Sequence, residues 1–344
     1  MAYACAMIGL QPRTYFNWVK QIRNEADCVL AIKDKRTLER KGPSKDPKAL
    51  SQDERNFVIC RYQQPDVRHL SIEKATIKLL DDPDEDYICS CSTAYRVLGK
   101  AGMLKVRPAS TRRRGHSNNK REAHWSYKIN EVWSYDITYL NGPNGVKYYG
   151  IAIMDHYSRY VVHCDVLEKQ DEDSVSSFLS QAFAKYQIVP KQLVLHTDNG
   201  SQMRSAVTVA VLKAFGVEES HSRPLVSNDN APIERLWNTA KHSTYGLTKS
   251  IFRNLQEVKQ AFTTAMHNYN NIGHSSLKDI TPYARYHGLE KEVLEARMRK
   301  VAKGREKHPE RWGNRKLRDF TPAGPQVLNP HFLKKDKAGT KSHN

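Results

Sequence analysis

The sequence predicts an α/β chain, a five-stranded mixed sheet with flanking helices, preceded by all-α segments. Three observations carry this reading. Residues 132–139 alternate, with Trp133, Tyr135, Ile137 and Tyr139 on one face and Val132, Ser134, Asp136 and Thr138 on the other, which is the period of a strand. Val175, Phe178, Leu179, Ala182 and Phe183 fall on one stripe at helical spacing, the pattern of a helix packed on a sheet. The run Leu193-Val194-Leu195-His196 stops at Asp198-Asn199-Gly200, as a buried strand does when it delivers a side chain to a sheet edge. Taken alone, Asp-Asn-Gly reads first as a turn sequence that caps its own backbone.

A chain of 344 residues is long enough for two or three domains with separate cores. Lys and Arg number 55 against 37 Asp and Glu, a net charge of +18. That balance favours a polyanionic partner, nucleic acid or an anionic membrane surface. The excess lies in two arms: residues 1–130 carry 25 basic and 15 acidic side chains, residues 288–344 carry 15 and 7, and the middle has 15 of each. The pattern is that of a neutral core between two basic appendages, although a run of charge is also what a solvated face looks like. No apolar run reaches the length of a membrane span, and the N-terminus lacks the order of a signal peptide. The expectation is a cytoplasmic protein, nucleoid-associated when bound to DNA, with no membrane partner. The six cysteines (Cys5, Cys28, Cys60, Cys89, Cys91, Cys164) form no C-x-x-C pair, so neither a disulfide framework nor a zinc ribbon is indicated.

In chain order, residues 1–45 read as a helix-turn-helix. A short helix breaks at Gly9, a second begins near Pro12, and Ile8, Leu10, Tyr15 and Trp18 form a small core. The second helix would offer Arg13 and Asn17 to a groove; an ordinary helical hairpin fits the same residues. Residues 46–110 hold three short helices, expected at about 52–62, 71–80 and 92–101, and read as a second helix-turn-helix domain. Residues 111–128 form a basic linker whose Arg112, Arg113 and Arg114 either follow phosphates and a minor groove or are simply solvated.

The core is expected over 129–288, followed by a basic tail at 289–344. After the alternating strand come a turn at Asn141-Gly142-Pro143-Asn144-Gly145, two more strands (about 146–154 and 160–167), and the striped helix. The strand ending at Asp198, a helix to Phe215, a short strand at 217–220 and a helix opening near Pro232 complete it. Three strands, helix, strand, helix, strand, helix is the ribonuclease H-like order. In that order the first and fourth strands are neighbours, so Asp136 and Asp198 would meet at one edge. Glu234 stands in the first turn of the last helix, with 35 residues between it and Asp198.

Three segments, Trp133-Ser134-Tyr135-Asp136-Ile137-Thr138-Tyr139, His196-Thr197-Asp198-Asn199-Gly200-Ser201-Gln202 and Ser227-Asn228-Asp229-Asn230-Ala231-Pro232-Ile233-Glu234-Arg235, resemble the signatures of the DDE transposase and retroviral integrase superfamily. Within it the chain is most similar to the second-reading-frame transposases of the bacterial insertion-sequence family three. Tyr269-Asn270-Asn271-Ile272-Gly273-His274, Thr281-Pro282, Arg311-Trp312-Gly313 and Leu328-Asn329-Pro330 extend the likeness over about residues 50–332. Each string alone is common; three in order at family spacing are specific. Gly273 replaces a larger side chain, and Met203 an aromatic.

The resemblance implies a polynucleotidyl transferase that nicks DNA and joins a 3′-hydroxyl to a target, with Asp136, Asp198 and Glu234 as catalytic metal ligands. It implies two Mg2+ or Mn2+ ions, terminal inverted repeats and target DNA as partners, and a homo-oligomer. Met1 stands almost inside the first helix, which leaves open whether the chain acts alone or as the back half of a frameshifted fusion with the product of an upstream overlapping frame. Glu234, Asn238 and Lys241 share one helix face, and with Arg235 are the expected DNA contacts near the acids. Asn230 is expected to support the site as an amide. His196 either orients a carboxylate or is a satisfied core histidine. Two other readings keep the same motifs: a ribonuclease H-like nuclease that never joins strands, and a non-catalytic DNA-binding regulator.

Overall fold

A strand with apolar side chains on one face and Ser, Asp and Thr on the other needs cover on both sides, and the chain supplies it with two helical layers. In the computed structural model, the described residues are 48–104, 124–198, 205–222, 230–242, 247, 251–313 and 318–328. The chain divides into two compact units, Met1–Ser51 with His308–Arg315, and Gln52–Lys307 with Lys316–Asn344. Of the first, the described part includes a 3-10 turn at Pro309–Arg311; everything below concerns the second.

That unit opens with α1 (Gln52–Tyr62), α2 (Ile72–Asp81) and α3 (Cys91–Lys100). Ser71 and Ser90 cap α2 and α3, each accepting the amide three residues on, which satisfies an otherwise orphaned first-turn donor. The helices fall where the sequence places them. The connection between α2 and α3 runs over Asp82–Ser90, longer than the three or four residues of a helix-turn-helix turn. Its Glu85 accepts from the Arg61 guanidinium, which also donates to Asp66 in the connection before α2.

The sheet follows, with β2 (Val132–Asn141), β3 (Lys147–Asp155), β4 (Val161–Leu167), β5 (Val194–Thr197) and β6 (Glu218–His221) in the order β4-β3-β2-β5-β6. β2, β3 and β4 form an antiparallel meander, whereas β5 joins β2, and β6 joins β5, in parallel. The parallel pairs are bridged by α4 (Glu172–Lys185) and α5 (Ala206–Phe215). Gly216, at φ 63°, closes α5 in the left-handed conformation that glycine adopts without strain. On this side Trp133, Tyr135, Ile151 and Ile153 pack against Val175, Phe178, Leu179, Phe183 and Leu212.

α6 (Ala231–His242) and α7 (Leu255–Asn270) cover the other side, where Leu140, Ala152, Met154 and Val161 meet Ile233, Leu236, Trp237, Val258, Phe262 and Met266. The three-layer arrangement is the ribonuclease H-like core expected from element order. Gly150 on β3 faces Phe262 so closely that a Cβ would lie 2.5 Å from the ring, which is what lets α7 approach the sheet. Beyond α8 (Pro282–Tyr286), α9 (Glu290–Lys307) runs back over α2. Arg297 donates to both oxygens of Asp81 at 2.6 and 2.7 Å and to the Asp279 carbonyl, and Lys307 donates to Asp86.

One pairing differs from expectation. Residues His124–Ser126, inside the expected linker, form β1 and pair antiparallel with β7 (Gln326–Leu328) in the expected tail. Three residues are too few to carry a readable period, and their partner lies two hundred residues away. The Arg285 guanidinium holds the adjoining segments together. Fully buried, it donates to Tyr157 O, Glu290, Ala323 O and Gly324 O, and stacks on Tyr157. No helix among the described residues is long and apolar enough to cross a membrane.

Replacing Arg285 by Met should lower stability by about 3–5 kcal/mol, because Glu290 and three carbonyls lose a buried partner. Arg285→Lys should recover little of it, since an ammonium cannot reproduce the planar fork. Urea denaturation of the two variants measures both effects.

Candidate active site

The parallel register of β2 and β5 sets the site. Val132 pairs with Val194, Trp133 with Leu195 and Ser134 with His196. Carried two residues further, this register puts Asp136 opposite Asp198, just past the end of β5. Side chains of one parity lie on one face, so Asp136 belongs to the polar face with Ser134 and Thr138, beneath α6. Charge reports the same proximity, because Asp198 is among the groups that raise the pKa of Asp136.

α6 lies along β2 and contributes one face to it. Asn230 Nδ2, just ahead of the helix, donates to Tyr135 O at 3.5 Å, Trp237 Nε1 to Asp136 Oδ2 at 2.9 Å, and Lys241 Nζ to Tyr139 O at 3.2 Å. Positions 230, 234, 237 and 241 repeat at helical spacing, so Glu234 is on the side turned to β2. Its carboxyl is pushed up by burial and by the charge of Asp136.

Asp136 is therefore the hub. Half-buried, it is pushed up to about 6 by desolvation first, with Asp198 adding to the shift; the Trp237 indole, the Ile137 amide and the Lys241 charge oppose it. Its Oδ1 accepts the Ile137 amide at 2.8 Å and its Oδ2 the Trp237 indole. Asp198 is exposed at the strand end. Among the described residues no three His, Cys, Asp or Glu side chains are grouped closely enough to hold one metal ion. The carboxylates interact pairwise through Asp136 and are not closed around a single point. The chemistry of the donors nonetheless fits a hard divalent cation: oxygen only, partly desolvated, and with negative charge that Lys241 partly offsets at Asp136.

The other expected residues separate clearly. Asn230 is buried, with Oδ1 lacking a hydrogen-bond partner. His196 is buried between the hydroxyls of Ser220 and Ser222, the environment of a satisfied core histidine. Arg235 and Asn238 are exposed on α6, and Lys241 is half-buried. Arg13, Asn17, Arg112, Arg113 and Arg114 lie outside the described residues. Trp237 was not among the expected residues. Its signal was its place three residues after Glu234, on the same face, together with a donor-only N–H that needs an acceptor when buried. Asp155, the last residue of β3, is buried and accepts from the Asn130 amide and from both the amide and hydroxyl of Ser158.

The elevated Asp136 carboxyl has a definite consequence. Between its ordinary value of 3.8 and about 6, the folded chain keeps a proton that the unfolded chain has released. The stability contributed by this group therefore falls as pH rises through that window. In metal-free buffer, the stability of the wild type minus that of Asp136→Asn should decrease between pH 4 and 6; a flat difference would contradict the assignment.

Residues 126–226 and 215–282 match two family models, each described as an integrase core domain. Asp136 and Asp198 lie in the first match and Glu234 in the second. Over 140 residues the chain is 33% identical to InsK of Escherichia coli (strain K12), assigned as a transposase for insertion sequence element IS150, covering 40% of this chain and 48% of that one. It is 29% identical over 155 residues to the transposase for IS904 of Lactococcus lactis subsp. lactis (strain IL1403), covering 43% and 60%. A 31 kDa protein of insertion element IS600 from Shigella sonnei is 29% identical over 159 residues, covering 45% and 57%. The chain thus spans about half the length of the curated relatives it matches. Over residues 126–282 the chain is thus similar to the integrase core domain, and its curated relatives are proteins of bacterial insertion sequences.

Proposed function

We propose that the protein is a DNA transposase of the insertion-sequence family-three type, which binds the terminal inverted repeats of its element, nicks the DNA there, and transfers the resulting 3′-hydroxyl to a target. The observation that supports this reading is the register of β2 on β5, whose last pair is Ser134 with His196 and which, continued by two residues, would bring Asp136 to Asp198, with Glu234 on the face of α6 that donates to β2.

A phosphodiester is a poor electrophile shielded by its own charge, so the site must supply positive charge. Asp136, Asp198 and Glu234 would hold two Mg2+ or Mn2+ ions. Such a pair, when bound, activates an attacking oxygen and stabilises the leaving one in an in-line displacement. The chain's own residues do the rest. Lys241 places an ammonium beside Asp136 and offsets the charge of the acids, with the Tyr139 carbonyl fixing its position. Arg235 and Asn238, exposed on the same helix, are placed to contact the DNA end. The Asn230 amide steadies the start of α6 against β2. The net charge of +18 supplies sequence-independent attraction to DNA, with Arg13, Asn17, Arg112, Arg113 and Arg114 as the contacts in the N-terminal arm. Bringing two element ends together calls for more than one copy of the chain.

The test is a gel assay with terminal inverted-repeat DNA, a target duplex and Mg2+. The wild type should give nicked and joined products, and Asp198→Asn should lose both by about a thousandfold or more, the scale at which loss of an electrostatic catalytic group is felt. Nicking without joining would select a ribonuclease H-like nuclease instead. Unchanged activity in Asp198→Asn would refute the assignment of the acids.

A further inference from the structure

We propose that Trp237 is the positioning residue of the carboxylate site, fixing Asp136 and Glu234 together for the divalent cation. The proposal rests on the metal-dependent reading above and adds to it a residue outside the third of the quoted segments, which ends at Arg235.

Trp237 is 8% exposed and packs among Ile233, Leu236, Ala240, Val258 and Met266, with its ring 6.0 Å from that of Phe262. A phenylalanine would fill the same space. What it could not supply is the N–H, which reaches Asp136 Oδ2 at 2.9 Å. The other oxygen takes the amide of Ile137 at 2.8 Å. Two donors from two different elements fix the plane of one carboxylate, and each oxygen, able to accept twice, keeps a lone pair for a ligand. A hydrogen bond to a carboxylate is also among the stronger kinds.

The same bond acts on Glu234. Trp237 follows it by one helical turn, so anchoring the indole to Asp136 sets the height of Glu234 along β2. Asn230 and Lys241 hold the neighbouring turns through the carbonyls of Tyr135 and Tyr139, but these bonds reach the backbone of β2. Trp237 alone of the three joins α6 to a carboxylate of the site.

The test is Mn2+ binding by calorimetry to the wild-type full chain, Asp198→Asn, Trp237→Phe and Trp237→His, with thermal unfolding of each without metal. Trp237→Phe should unfold within a few degrees of wild type yet bind Mn2+ about 10- to 100-fold more weakly, the usual effect of removing a partner that orients a ligand. Trp237→His, which restores a ring N–H, should recover part of the loss. If wild type and Asp198→Asn bind Mn2+ equally or not at all, the metal reading itself fails and this inference falls with it. If Asp198→Asn loses affinity while Trp237→Phe binds like wild type, only the role of Trp237 is overturned.

Should Trp237→Phe fail to fold, the wild type carries the test. Among the indole N–H signals of its five tryptophans, one should broaden at substoichiometric Mn2+ and stay sharp in Asp198→Asn. Broadening of none would overturn the proposal.

Discussion

The parallel pairing of β2 with β5 is the constraint from which the site follows. A shift of one residue would turn either Asp136 or Asp198 to the opposite face, because side-chain direction alternates along a strand. Apolar packing holds the register on one side, where Trp133 and Leu195, themselves a register pair, are buried with Phe183. The polar side has no such packing of its own at Ser134, Asp136 and Thr138. It is covered by α6, whose side chains donate hydrogen bonds down the length of the strand. The fold thus confines a costly carboxylate between an apolar layer that sets its position and a helix that sets its orientation.

That division explains what was legible. Period-two alternation located β2, a helical stripe located α4, and the order of the elements brought Asp136 in mid-strand, Asp198 past a strand end and Glu234 in a first helical turn into one set. The β1–β7 ribbon was not legible, because three residues show no periodicity and the pairing spans most of the chain. Arg285 was equally silent. A lone arginine in a short helix gives no sign that all three of its guanidinium nitrogens will donate to segments from Tyr157 to Gly324. Trp237 could be placed on the helix face by spacing, but only the geometry of α6 over β2 shows that its indole meets Asp136 rather than water.

The charge distribution reads differently once the helices are in place. The basic excess after residue 288 looked like a DNA-gripping tail. In α9, Arg297 is buried against Asp81, and Lys303 and Lys307 reach Asp86. These cations help fasten α9 to the helical segment before the core, so part of the C-terminal charge does structural work. Exposed ion pairs of this kind are individually weak, whereas the bidentate Arg297 contact is shielded from water and contributes more.

An anomalous difference map from crystals grown in Mn2+ tests the central claim most directly. The account predicts a peak whose ligands include the carboxylates of Asp136 and Asp198, with the Trp237 indole still donating to Asp136. Mn2+ bound only at other residues, with those two carboxylates untouched, would contradict it.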